Sequence, residues 1–270
     1  MTILSAVTEL DPRQAEIFSY CEKYLFDNEN PTLVAKNAHY FTEGYDAFGL
    51  DEIQLKELRD LVFQQFEPSV QELTALAYHF FATGKYEFGS LALMFLKKHR
   101  PRFTRFTYDE VKRCLDNVVQ NWAHCDLLAT KITPVFLELE IATMEDFAAW
   151  RSSASKWTRR VAAVTMLYQR GKLPAQELLD FIQPLMQDPE RAVQQGVGWF
   201  LRELWKLSPR EVEDFLFLNK ETAPPLIIQY ATEKMNKDKK KRFRRAITHA
   251  PKPRKPHFQK KKPPREDSGE

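Results

Sequence analysis

Four side chains that can do chemistry fall within five positions of "VVQNWAHCDLLATKI", residues 118–132: Trp122, His124, Cys125 and Asp126. His, Cys and Asp side by side suggest a metal site, but the spacing argues against one. His124 and Cys125 are adjacent, so on a helix their side chains diverge by about 100°. A zinc site needs about four convergent ligands, usually at C-x-x-C or H-x-x-x-H spacing. No such spacing occurs, so neither a metal nor a cofactor is expected.

Trp122 and Asp126 stand four residues apart and share one face of a helix. Taken alone, the pair reads as a core tryptophan beside a capping carboxylate. Two other segments offer it company. Trp157, Arg159 and Arg160 open "KWTRRVAAV", and Trp199 lies in "GVGWFLRE" behind Gly196 and Gly198. Glycine inside a helix costs about 1 kcal/mol relative to alanine. Two of them around a tryptophan suggest close backbone approach or room for a bulky contact.

These side chains need a scaffold, and its pattern is helical from about Ala15 to Met235. "LKELRDLVFQQF" (55–66) places Leu55, Leu58, Leu61, Val62 and Phe66 on one face. "VQELTALAYHFF" (70–81) does so with Val70, Leu73, Leu76, Ala77 and Phe80. "SLALMFLKKH" (90–99) is apolar nearly all round, which predicts an inner helix. Breaks at "TGKYEFG", "HRPRFT", Pro134, "RGKLP", "QDPER", "LSPRE" and "TAPP" cut the chain into short helices with short links. Three apolar segments rich in small residues, 157–170, 191–204 and 223–235, recur at a little over 30 residues. Residues 87–99 fit two periods upstream. A helix pair repeated at that spacing reads as an all-α solenoid of HEAT type, whose concave surface binds partners. An ordinary helical bundle is the competing architecture.

Of the 270 residues 43% are apolar, enough for a sizeable core, and glycine is scarce, which favours helix. No apolar run approaches the ~18 residues of a membrane span, and the N-terminus lacks the pattern of a secretory leader. Three scattered cysteines, Cys21, Cys114 and Cys125, argue against a disulfide framework and for a reducing cytoplasm. Charge is divided unevenly. Residues 234–270 hold 15 Lys or Arg against 4 Asp or Glu, net +11, and the remainder holds 25 against 33, net −8. The expected organisation is a folded domain over 1–235 and a basic, Pro-rich, disordered tail over 236–270. Such a tail is the electrostatic footprint of a polyanion, nucleic acid first and an acidic membrane surface second. A merely solvated tail is the bland alternative.

Four segments together resemble the HEAT-like DNA alkylation repair glycosylases of the AlkD type: "YFTEGYDAFGLDEIQLKEL" (40–58), "NWAHCDLLATKI" (121–132), "KWTRRVAAVTMLYQR" (156–170) and "QQGVGWFLRELWKLSP" (194–209). The resemblance covers roughly residues 30–235. It implies a catalytic aspartate at Asp126, catalytic tryptophans at Trp122 and Trp199, a phosphate-holding arginine at Arg160, and a tyrosine meeting the damaged strand at Tyr40. Arg159, Arg202, Lys97 and Lys98 are further candidate DNA contacts, the last two in the basic run that continues through Arg100, Arg102 and Arg105. Trp157 is expected to be a packing residue. Ile227, Ile228 and Gln229 stand where similar proteins often carry a basic pair.

The implied substrate is duplex DNA bearing a cationic alkylated purine, 3-methyladenine or 7-methylguanine, and the implied protein is a monomer in the bacterial cytoplasm or nucleoid, without membrane contact. A cationic base is already a good leaving group, so no general acid is needed. A lone carboxylate near the sugar stabilises the oxocarbenium-like charge, unlike the paired acids of most sugar hydrolases. Aromatic faces attract cationic and polarised C–H groups. The resemblance also implies that the base stays stacked while the protein grips sugar and backbone, so bulky cationic adducts fit the same scheme. No lysine is implicated as a Schiff-base nucleophile, which makes the expected enzyme monofunctional. Two readings from other classes compete: a catalytically silent solenoid for distorted or branched DNA, and a protein-binding scaffold.

Overall fold

A computed structural model describes residues 10–244. All regular elements among them are helical, apart from one isolated bridge between Arg170 and Leu173. In chain order they are α1 (Pro12–Asp27), α2 (Pro31–Asn37), α3 (Glu52–Phe66), α4 (Val70–Ala82), α5 (Tyr86–Lys98), α6 (Arg105–Asn117), α7 (Trp122–Leu127), α8 (Thr133–Glu138), α9 (Met144–Trp150), α10 (Lys156–Thr165), α11 (Ala175–Ile182), α12 (Arg191–Trp205), α13 (Pro209–Asn219), α14 (Pro225–Ala231) and α15 (Lys237–Arg242).

Helix starts follow the local chemistry. Asp51 and Ser69 close capping boxes with Gln54 and Glu72 at the heads of α3 and α4, satisfying N–H groups that a helix leaves unpaired. The predicted stripes are the buried ones. Leu55, Leu58 and Val62 are buried on α3 with Leu61 and Phe66 half-buried, and Val70, Leu73, Leu76, Ala77 and Phe80 are buried on α4. Helix α5 is buried nearly all round, as an inner helix should be.

The weak repeat in the sequence is a real stack. Helices α5, α7, α10, α12 and α14 begin 36, 34, 35 and 34 residues apart, and each packs on the next. Helix α4 precedes α5, and α6, α9, α11 and α13 lie between the stacked helices in sequence, giving a solenoid-like all-α fold. The two helix-interior glycines make the stack tight. An added Cβ at Gly198 would sit 2.5 Å from Tyr230 Cβ and 3.0 Å from the Ile227 carbonyl, so its absence lets α12 approach α14. Gly196 does the same towards α10, where the Arg160 stem would lie 3.1 Å from such a Cβ.

Between α7 and α8 the backbone widens into a π-helical turn, Leu128–Ile132. Pro134 accounts for it, since it has no N–H for the Thr130 carbonyl and its ring crowds that group. The Thr133 hydroxyl reaches the Leu128 and Ala129 carbonyls (3.3 and 3.4 Å) and the Thr165 hydroxyl (2.6 Å), which seats the turn on α10.

The folded chain extends beyond Met235, where the helical pattern was expected to dissolve. Asn236 caps α15, Lys239 and Arg242 pair with Glu213 at 2.6 and 3.2 Å, and Phe243 is buried. The tail from residue 245 onward lies outside the described residues. No helix among them is long and apolar enough to cross a membrane.

Candidate active site

The segment "NWAHCD" folds so that its residues divide between support and display. Asn121 caps α7, accepting the His124 N–H at 2.9 Å, and its amide lies 2.9 Å from His124 Nδ1. His124 Nε2 lies 3.0 Å from the Tyr86 carbonyl and 3.3 Å from Ser90 Oγ. This pattern suits one neutral tautomer, with Nε2 donating to Tyr86 and Nδ1 accepting from Asn121. The ring fills the space that a side chain at position 89 would take, with His124 Nδ1 2.7 Å from a Cβ built on Gly89. Cys125 is fully buried, its thiol directed at the Trp157 carbonyl at 3.6 Å, and burial raises its pKa. His124 and Cys125 are therefore the seat of α7, while Trp122 and Asp126 face outward.

Burial lowers the His124 pKa to about 4, against a smaller upward pull from the Tyr86 carbonyl. Because the folded pKa is the depressed one, the unfolded chain takes up the proton first as pH falls. Stability from this residue is complete above the ordinary histidine value of about 6.5, and declines by about 2 kcal/mol by pH 5. Urea unfolding of the full chain and of His124→Asn, compared from pH 7 to 4.5, should show the gap between them shrinking as pH falls. A gap that stays constant over that range would overturn the assignment.

Trp122 and Asp126 open into a cavity of about 470 Å³ whose walls also hold Tyr40, Arg160, Trp199 and Arg202. Asp126 and Arg160 form a two-pronged ion pair, with Nε to Oδ1 at 2.7 Å and Nη2 to Oδ2 at 2.9 Å. Arg160 Nη1 donates to the Ala192 carbonyl at 2.5 Å. Burial opposes the Arg160 charge, but hydrogen bonding and attraction from Asp126 outweigh it and raise the pKa above its ordinary value. The arginine side chain is 7% exposed and the aspartate 20%, so the carboxylate keeps access to the cavity while its partner is enclosed.

The opposite wall is the segment after α2. Trp122 Nε1 donates to the Tyr40 carbonyl at 3.2 Å, and its ring stacks on Phe41 at 5.7 Å. Glu43 pairs with Lys156 at 2.7 Å, tying this wall to the head of α10. Tyr40 is 61% exposed and Trp122 44%, whereas Trp199 packs partly against the core. Trp157 is buried at the cavity edge, as a packing residue would be.

Three expected contacts lie elsewhere. Arg159 does not line the cavity. Its fork grips Asp188 at 2.6 and 3.1 Å and the Ser153 and Ala154 carbonyls at 2.8 and 3.0 Å, which staples α10 to the link before α12. Lys98 lies over the Phe63 ring and 3.5 Å from Asp60. Lys97 borders a second, more apolar hollow of about 390 Å³ with Leu127 and Lys131. Arg202 is in the cavity wall but pairs with Glu203 at 3.3 Å and with Glu233. Of Ile227, Ile228 and Gln229, the first is fully buried, the second half-buried and the third exposed, so burial accounts for an apolar residue at 227 but not for the glutamine at 229.

Sequence reasoning missed the 41–44 wall, which comes from a link without periodic pattern. It also missed Arg191 and Gln195, although positions 191, 195, 199 and 202 form one stripe of α12. Gln195 donates to the Tyr230 hydroxyl at 2.8 Å, joining α12 to α14 across the cavity wall. Among the described residues, no group of three or more His, Cys, Asp or Glu is placed to hold a metal ion.

Among curated proteins no sequence match is found. A solved structure from Enterococcus faecalis, titled a predicted DNA alkylation repair enzyme, superposes with a TM-score of 0.67 at 19% identity. The match covers 78% of this chain and 98% of that one, and at this identity it shows a shared fold. Residues 21–235 match the family model described as DNA alkylation repair enzyme. With most of its length matched, the chain belongs to the DNA alkylation repair enzyme family.

Proposed function

We propose that the protein is a monofunctional DNA glycosylase, hydrolysing the N-glycosidic bond of cationic alkylated purines such as 3-methyladenine and 7-methylguanine in duplex DNA. The observation that carries this reading is Asp126, fixed by the Arg160 fork at the wall of a cavity shared with Trp122, Trp199 and Tyr40. When the C1′–N bond of such a nucleotide breaks, its electron pair goes to the base, which leaves neutral. The sugar is left as an oxocarbenium-like cation. A carboxylate oxygen beside it stabilises that charge and orients the water that attacks C1′, which loses a proton to give the abasic hemiacetal. Pairing with Arg160 weakens the long-range field of Asp126 but holds its oxygens in one orientation, so little reorganisation accompanies the reaction. The aromatic faces of Trp122 and Trp199 favour the electron-poor sugar. The cavity suits a sugar and its neighbours gripped from the backbone side, consistent with a base that stays stacked.

The test is incubation of a 7-methylguanine duplex with the full chain. The expected products are free 7-methylguanine and an intact strand with an abasic site, and no protein–DNA adduct trapped by borohydride. Tight, salt-dependent duplex binding without release of either 7-methylguanine or 3-methyladenine would instead favour a silent DNA-binding solenoid.

A further inference from the structure

Three guanidinium groups line the cavity: Arg160, Arg191 and Arg202. A residue that holds a DNA phosphate needs N–H donors not already committed. Arg160 directs two nitrogens to Asp126 and the third to Ala192. Releasing any of them would leave a buried donor or Asp126 without its partner, a penalty that one phosphate interaction does not offset. Arg202 is paired with Glu203 and Glu233. Arg191 is exposed and has no ion pair or side-chain hydrogen bond among the described residues.

The charges of the wall lead to the same residue. Asp126 is matched by Arg160, and Glu43 by Lys156 from the head of α10. Arg202 is matched by Glu233. Arg191 is the unmatched charge among the cavity-lining residues. It also stands at the right place along α12. At a rise of about 1.5 Å per residue, it lies roughly 12 Å from Trp199 and roughly 16 Å from Arg202 on the same stripe. A strand whose sugar lay between Trp122 and Trp199 would pass Arg191 one or two nucleotides away.

Resting on the glycosylase reading for the identity of the ligand, we infer that Arg191 is the phosphate-binding residue of this cavity, and that Arg160 is a positioning residue for Asp126. Phosphate recognition is thus assigned to the start of α12 and carboxylate orientation to α10.

The experiment uses the full chain, comparing wild type with Arg191→Ala, Arg191→Lys and the remote surface control Lys23→Ala. Binding to an unmodified duplex is followed across a salt series, and single-turnover release from a 7-methylguanine duplex is measured in parallel. Arg191→Ala should weaken binding about tenfold at ~0.1 M salt and reduce the slope of log affinity against log salt by about 0.9, the value for one phosphate no longer neutralised. Arg191→Lys should keep the slope, and Lys23→Ala should change neither quantity. Thermal unfolding should be unaltered, because Arg191 has no partner to lose. If Arg191→Ala matches wild type in affinity and slope while wild type releases base, the inference is overturned and the glycosylase reading stands. If the slope falls but wild type releases no base, the inference stands and the glycosylase reading fails. A wild type that does not bind duplex overturns both.

Discussion

Asp126→Asn is expected to lower the single-turnover release of 7-methylguanine by about 10²–10³-fold, the usual effect of removing a preorganised group that meets transition-state charge. Duplex affinity should stay close to wild type, because the carboxylate bears on a charge that exists only as the bond breaks. The substitution also has a structural consequence. Arg160 is 7% exposed, and the asparagine that remains accepts hydrogen bonds without compensating its charge. Breaking a buried pair from one side costs about 3–5 kcal/mol, and the partial exposure of Asp126 puts this case at the lower end. For a folded chain of this size that is a fall in Tm of about 6–12 °C. Release must therefore be measured well below the variant's transition. Arg160→Lys separates the two effects, since it keeps a charge beside Asp126 but loses the two-pronged geometry. It should retain duplex binding and lose rate by a smaller factor than Asp126→Asn. A folded Asp126→Asn protein that binds duplex and releases base at the wild-type rate would remove Asp126 from the reaction.

The parts of this site that lie on periodic helices could be read from the sequence, and the parts that lie on links could not. Trp122 and Asp126 share a face because four residues make about one turn, and the structure keeps them on one face. The repeat spacing brought α10 beside α7 and α12 beside α10, since helices one period apart must stack to bury their apolar sides. What spacing cannot specify is which of two adjacent cations points inward. Arg159 and Arg160 differ by about 100° around α10, and packing alone sends one to Asp188 and the other to Asp126. Nor does it reveal commitment. The resemblance implies a phosphate contact for Arg160, but no spacing shows that its three nitrogens are directed at Asp126 and Ala192. The Tyr40–Gly44 wall is bonded to α7 and α10, and the chain just after it, at Phe48, is bonded to α5; these long-range bonds leave no periodic trace in residues 38–50.

That wall depends on Glu87, and Glu87→Ala is expected to be among the most destabilising single changes in the chain. Glu87 is fully buried near the head of α5, where a carboxylate also complements the helix dipole. Its two oxygens accept the backbone N–H groups of Phe48, Gly49 and Leu50 at 2.9, 2.7 and 3.2 Å. Alanine would leave three buried donors without an acceptor, each costing about 1–3 kcal/mol before relaxation. Relaxation and entering water recover part of this, which leaves a loss of about 3 kcal/mol and a Tm lower by roughly 10 °C. The effect should reach the site. The freed segment carries Phe41, which stacks on Trp122, and Tyr40, whose carbonyl accepts the Trp122 indole N–H. Glu87→Gln keeps one good acceptor and should fall between wild type and alanine. Amide hydrogen exchange localises the change. The Phe48, Gly49 and Leu50 amides should be protected in wild type and exchange rapidly in Glu87→Ala, while amides of α12 and α14 exchange as before below the transition. A Glu87→Ala protein that melts within about 2 °C of wild type and keeps those three amides protected would show that other interactions, such as Asn30 N–H to Phe48 O and Tyr86 N–H to Asp46 O, hold the wall.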